Sequence, residues 1–178
     1  MEQAEHRHRL IHTLQMAYSG EFAAALAYAG HWRTLRRAEQ KEAVHQIELD
    51  EWHHRKNLLL LLAELEAKPT GWRDLMMGGL GCFIFVACFI SGWFFPMYFA
   101  GRLEDGNILE YKHAAEHATA LGLAEMAETL MVFSAKEEEH EAYFFNVVRG
   151  HWMLPPVMAV FTWGPAPGAP AKAIGGKS

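Results

Sequence analysis

Residues 75–101 read LMMGGLGCFIFVACFISGWFFPMYFAG, 27 consecutive positions without a charged side chain. About 20 apolar residues suffice for a helix to cross a bilayer, so this stretch could span one. It could equally be the crossover that links two helical hairpins along the length of a bundle, since as one helix it would reach about 40 Å. A crossover in water needs a polar outer face, and CFIFVACFISGWFFPMYF is apolar on every side, so contact with lipid is expected. Whatever the rest of the chain builds must accommodate this segment in its middle.

The flanking sequence is helical. Residues 3–36 hold no proline and place Leu14, Tyr18, Ala25, Tyr28 and Trp32 on one stripe. The charged RTLRRAEQKE (33–42) reads as a turn. A second helix continues to about Ala67, with Val44, Ile47, Leu58 and Leu61 inward, until KPTGW stops it. A third is expected from near Arg102 to Gly122, a C-cap glycine, and a fourth from about Ala124 to Val148 with Leu130, Phe133, Phe144 and Val147 inward. Period-two alternation is nearly absent, so the chain is read as all-α, with one helical domain over 1–150. The Pro-, Gly- and Ala-rich 151–178 reads as an irregular tail.

Bulk properties narrow the function. A net charge of −5 with no Lys/Arg cluster argues against a nucleic-acid partner. Cys82 and Cys88 sit in the apolar run without CxxC spacing and read as buried thiols in a reducing compartment. The polar start MEQAEHRHRLIH gives no sign of export. MGGLGC does not complete a nucleotide-binding glycine motif.

Chemistry enters with a repeated spacing. Glu-x-x-His occurs at Glu5/His8, Glu42/His45, Glu51/His54, Glu110/His113 and Glu137/His140, more often than random placement of the chain's glutamates and 11 histidines would give. On a helix, positions i and i+3 share a face, so each pair can offer a metal ion two ligands. A dinuclear bundle uses two such pairs plus one Glu from each of the other helices. Glu21 is the one acidic residue in the small, apolar SGEFAAALAYAG. Bringing it level with Glu51 and His54 puts the hairpin turn near residue 37, within the charged stretch. Glu104 with Glu137 and His140 puts the second turn near Leu121–Gly122, whereas Glu110 would put it near Ala124; both remain candidates for the third helix's ligand. Tyr28 lies seven residues after Glu21 and Tyr111 seven after Glu104, an internal echo of two half-sites. Each tyrosine reads either as an electron relay or outer hydrogen-bond partner, or as an amphipathic core residue. Trp32, Trp52 and Phe144 read as core.

SGEFAAALAYAGHW resembles the AGE-x-x-A-x-x-x-Y-x-G signature of the demethoxyubiquinone hydroxylases, ferritin-like di-iron enzymes of ubiquinone biosynthesis. Gly20, Glu21, Ala24, Tyr28 and Gly30 match, and Ser19 replaces Ala. DEWHH (50–54) and FSAKEEEH (133–140) resemble that family's motifs in helices 2 and 4, so the likeness covers roughly residues 10–148. In helix 3 the family's Glu-x-x-Ile-x-x-His-Tyr meets EDGNILEY (104–111), which carries Asn107 for Ile and Glu110 for His.

The resemblance implies a ferritin-like four-helix bundle with two Fe ions, or Mn, held by Glu21, Glu51, His54, Glu104, Glu137 and His140, with Glu51 and Glu137 bridging. It implies a monooxygenase that uses O2 to hydroxylate a lipid-soluble quinone-like ring, with electrons from NADH or a reductase. It also implies a membrane surface, on the cytoplasmic side. A single crossing by residues 75–101 would leave the half-sites on opposite sides, so the resemblance calls for an in-plane or re-entrant segment broken at SGW or Pro96. Competing readings are ferritin- or rubrerythrin-like iron oxidation or peroxide reduction, iron storage in a cage, and a metal-free membrane adaptor. A homo-oligomer is compatible with each.

Overall fold

The computed structural model describes residues 2–164 and 169–174, and all its regular elements are helices. They are α1 (Glu2–Thr34), α2 (Ala38–Glu64), α3 (Gly71–Cys88), α4 (Phe94–Ala120), α5 (Ala124–Val148) and α6 (Leu154–Phe161). The turns at 35–37 and 121–123 fold α1 onto α2 and α4 onto α5, at the two places the carboxylate spacings require. The second turn closes at Gly122, whose φ of +75° is accessible to glycine at little cost.

Two apolar clusters fill the bundle. One gathers Leu10, Leu14, Leu58, Leu62, Ala118 and Leu130 near the start of α1. The other gathers Tyr28, Val44, Ile47, Met97, Tyr98 and Phe144 toward the opposite end. Between them in sequence, on every long helix of the two hairpins, lie buried acidic residues: Glu21, Glu51, Glu104 and Glu137. The expected inward residues of α2 are all buried, as are Leu130, Phe133 and Phe144 of α5, whereas Val147, Tyr18 and Trp32 are half-buried. Trp52 is a correction: it stands at the surface, 38% exposed, donating to Glu48 and packing on Phe22.

The apolar segment departs from one continuous rod. It breaks at Phe89–Trp93, around Gly92 with φ +76°, as the SGW sequence suggests. The residues beyond the break belong to the third bundle helix, which starts at Phe94 rather than near Arg102. Pro96 does not break it, because in the first turn a missing N–H removes no intrahelical bond. The preceding α3 lies along α1. Cβ atoms on Gly30 and Gly81 would sit 2.6 Å from the Phe85 backbone and 2.8 Å from the Ala23 carbonyl, so glycine on both sides sets how closely the helices approach. Arg55 pins the start of α3, binding Asp74 through two nitrogens (3.1 and 2.6 Å) and the Tyr18 carbonyl (2.6 Å). The outer face stays uncovered: Leu75, Phe83, Val86 and Ile90 are each 61–84% exposed. Cys82 lies on that face and is exposed, contrary to the sequence expectation, while Cys88 is buried; neither is in a disulfide.

The tail is also more ordered than its composition suggests. Leu154–Phe161 form α6, with prolines in its first turn, and Trp163 then packs against Gly101 and edge-on against Tyr98. Tyr98 donates its hydroxyl to the Trp163 carbonyl (2.6 Å), and Glu141 accepts from Trp163 Nε1 (3.2 Å) and Lys172 Nζ (2.6 Å). The remainder of the expected tail, 165–168 and 175–178, lies outside the described residues.

Close approach at the two glycines predicts asymmetric sensitivity. Gly30→Ala or Gly81→Ala should each destabilise the protein by about 1–3 kcal/mol, because backbone rather than a flexible side chain must yield. Gly79→Ala, whose Cβ meets nothing within 4 Å, should leave stability unchanged or slightly raised. Thermal unfolding of the three variants checks this ordering.

Candidate metal centre

Each of α1, α2, α4 and α5 brings its acidic residue inward for a local reason. Small residues surround Glu21 on α1, leaving room for a carboxylate between backbones. On α2 and α5 the i, i+3 spacing turns Glu51 with His54, and Glu137 with His140, to one face. Glu104 enters from α4 on the face that also buries Tyr111. None of the six is more than 4% exposed.

Their donor atoms form two overlapping groups. Glu21, Glu51, His54 and Glu137 offer one, and Glu51, Glu104, Glu137 and His140 the other, the atoms within each group all lying within 4.8 Å of one another. Glu51 and Glu137 belong to both. The six sequence candidates therefore come together as a set. Glu104, and not Glu110, joins them from α4. The remaining Glu-x-x-His pairs stay out: Glu5 pairs with Arg9, and Glu42, His8 and His113 are exposed.

Many of these atoms have no hydrogen-bond partner. Both oxygens of Glu51 and of Glu137, Glu21 Oε2, His54 Nδ1 and His140 Nδ1 are buried and unpaired. His54 Nδ1 lies 2.9 Å from Glu137 Oε1 and His140 Nδ1 lies 3.4 Å from Glu51 Oε1, yet neither pair makes a hydrogen bond. Acceptors converging without donors between them fit a cation at their centre, because buried polar groups otherwise find partners. Carboxylate with imidazole is a donor set that divalent first-row metals accept.

Other side chains hold the set from outside. Tyr28 donates its hydroxyl to Glu104 and Tyr111 donates to Glu21, so both sequence-selected tyrosines touch the cluster's non-shared carboxylates. Asn107 Nδ2 donates to Glu104 Oε2 (3.2 Å). His140 Nε2 lies 3.1 Å from Asp50 Oδ2, leaving Nδ1 toward the cluster. Asp50 was not singled out by sequence, and Asn107 was noted only as standing where the resembled motif has Ile. Asp50 had a signal, because a metal-binding histidine commonly gives its second nitrogen to a carboxylate, and Asp50 adjoins Glu51.

Protonation is governed by burial. Loss of water pushes Glu51 and Glu104 well above the usual carboxylate range and raises Glu21, with neighbouring carboxylates adding to the effect for Glu51 and Glu104. Burial opposes ionisation of Glu137 too, yet contacts with Glu104, His140 and His54 hold it low. Burial also disfavours charge on His140, but Asp50 and Glu137 outweigh it and raise its pKa to about 9. Both tyrosines stay protonated and remain donors. Compared with known proteins, the chain matches no family model, no curated protein and no solved structure.

These shifts fix the sign of a pH effect in metal-free protein. Glu21, Glu51, Glu104 and His140 bind protons more tightly folded than unfolded, so stability falls as pH rises through their window. Glu110, raised to about 7 by burial, acts in the same sense; His31, lowered to about 4 by burial, and His117, also lowered by burial, oppose it, while Glu137, held low, changes stability chiefly at pH below this range. The melting temperature of chelator-treated protein should drop by about 5 °C or more between about pH 5 and pH 8. Saturating Mn(II) should flatten that slope, since bound metal replaces the protons. A metal-free protein whose melting temperature rises across this range would contradict the assignment.

Proposed function

We propose that this chain is a di-iron monooxygenase that hydroxylates a lipid-soluble, quinone-like ring at the cytoplasmic face of a membrane, after the manner of the demethoxyubiquinone hydroxylases. The observation that carries the reading is the pair of overlapping donor groups, six buried ligands with Glu51 and Glu137 common to both. In it, α1, α2, α4 and α5 correspond to a ferritin-like four-helix bundle and α3 to its crossover.

A second feature supports an apolar substrate. A cavity of about 500 Å³ opens beside α1, lined by Ala27, Ile84, Ala87, Phe95, Phe99 and Leu103 among others. That volume lies within the roughly 300–1,000 Å³ typical of small-molecule sites. Its walls come from α1, from α3 and from the start of α4, and Tyr28 stands in its lining with its hydroxyl on Glu104. Tyr28 thus links the cavity to Glu104 of the carboxylate cluster, and Phe99 and Leu103 of its lining are exposed.

The same face supports an in-plane rather than a spanning arrangement. By length and composition α3 could cross a membrane, and only 17% of it is buried. Yet it packs along α1 at Phe22, Ala23 and Gly30, and α1 carries Glu21 into the centre of the bundle. Leaving the bundle to cross a bilayer would strip those contacts and the Arg55–Asp74 pair. Lying flat, α3 offers its exposed apolar side chains to lipid while its glycine face stays on α1.

Bound ferrous ions would supply the open coordination positions and electrons for O2 activation, replenished by NADH or a reductase. The chain's own groups do the rest. Glu51 and Glu137 would hold the shared positions, and Glu21/His54 and Glu104/His140 would complete one donor group each. Asp50 orients His140. Tyr28 keeps a proton at its hydroxyl between Glu104 and the cavity, and Tyr111 does so at Glu21. The two apolar clusters exclude water from the space between them.

The reading is tested with iron-loaded protein in lipid nanodiscs, a reductant, a short-tailed methoxybenzoquinone and ¹⁸O2. One labelled oxygen should enter the ring, and Glu104→Ala should abolish the product. Tyr28→Phe should keep its iron but turn over about 10–100-fold more slowly, as expected for loss of an outer-shell bond. O2 or peroxide consumed with no label in the ring would instead favour iron oxidation or peroxide reduction.

A further inference from the structure

The cavity beside α1 is apolar almost throughout, which makes its few polar side chains informative. Tyr28 is committed to Glu104, and Cys88 Sγ lies 4.0 Å from the Ala27 carbonyl. His31 is different. It is 2% exposed, lines the same cavity, and its Nε2 is buried with no hydrogen-bond partner.

Its orientation is fixed by packing. The imidazole stacks on Tyr28 (ring centroids 6.4 Å apart, planes at 23°) and on Phe144 (6.3 Å, 15°). It sits one turn beyond Tyr28 on α1, so the two project from one face of the helix. A buried polar atom held in place without a partner is costly unless something supplies one. The carboxylate cluster does not, because none of its atoms is a partner of His31.

We propose that His31 anchors a ring oxygen of the substrate, hydrogen-bonding a carbonyl or hydroxyl substituent so that the ring lies in the cavity against Tyr28. The inference rests on the reading of this cavity as the ring-binding site of the metal centre, and it names the recognition group that reading lacks. Burial keeps the imidazole neutral, lowering its pKa to about 4, so it has one donor and one acceptor nitrogen. A neutral imidazole can meet a quinone carbonyl as donor or a quinol hydroxyl as acceptor. A ligand of the same shape without oxygen would fill the apolar walls and leave the imidazole unsatisfied, so the site should discriminate by that oxygen.

Two probes of the same carbon skeleton, one with ring carbonyls and one without, isolate the effect: decyl-1,4-benzoquinone and decylbenzene, titrated calorimetrically into metal-free protein in detergent. Wild type should bind the quinone more tightly. His31→Leu should weaken quinone binding about tenfold, the worth of one buried hydrogen bond, and leave decylbenzene unchanged. His31→Gln, which retains a donor and an acceptor, should recover most of the loss. Ala87→Phe, which fills the cavity, should weaken both probes together.

Equal weakening of both probes by His31→Leu would make the residue a packing element and overturn the proposal. So would an unchanged quinone affinity in His31→Leu, or a wild type that binds neither probe. Iron uptake is measured on the same proteins and should be equal in wild type and both His31 variants. If wild type takes up no iron but the quinone contrast persists, the metal reading fails while the anchor stands.

Discussion

Four carboxyl groups converge in the buried centre of this bundle, and everything around them answers to that. Glu51, Glu104 and Glu137 are wholly buried and Glu21 is 3% exposed, and among the described residues their partners are histidines, tyrosines and Asn107 rather than lysine or arginine. Uncompensated buried charge costs several kcal/mol per group, so protons or cations must be held with them. Two divalent cations would balance four carboxylates, leaving both histidines neutral as ligands. The two tyrosines, Asn107 and Asp50 fit this picture, since each steadies a group whose other atoms face inward. The apolar clusters above and below supply the packing that keeps such a layer closed.

The α3 helix and the break that follows it show how one sequence can meet two demands. Its glycines let α3 lie against α1, and its larger apolar residues point outward. The break at 89–93 turns the chain so that the second half of the uncharged run becomes the start of α4. A single stretch therefore provides an exposed apolar face, one wall of a cavity and the first turns of a helix that carries Glu104. The C-terminal segment secures the far end, where Trp163 and Lys172 converge on Glu141.

Much of this was legible in the sequence because spacing on a helix is a geometric statement. Glu51 with His54 and Glu137 with His140 must share a face, and requiring Glu21 and Glu104 to lie level with them located both turns. Other features were opaque for equally physical reasons. Charge-free composition does not reveal where a helix starts, so α4 begins at Phe94 and not near Arg102. Apolar residues do not state which side faces outward, so Cys82 and Trp52 are exposed where burial was expected. The prolines at 155 and 156 read as breakers, although a first helical turn tolerates them. His31 acts through a cavity, which local spacing does not reveal, and Asn107, three residues from the Glu104 it bonds, stood out only as a departure from a motif. The choice between Glu104 and Glu110 likewise needed three dimensions.

Metal stoichiometry tests the central claim most directly. Iron bound per chain should be quantified after anaerobic loading with Fe(II) and removal of excess metal, for wild type, Glu51→Ala and Glu21→Ala. The account predicts two irons per chain in wild type. It predicts loss of both in Glu51→Ala, a shared ligand, and weakening chiefly of the site completed by His54 in Glu21→Ala. One iron per chain, or none in a well-folded wild type, would contradict it.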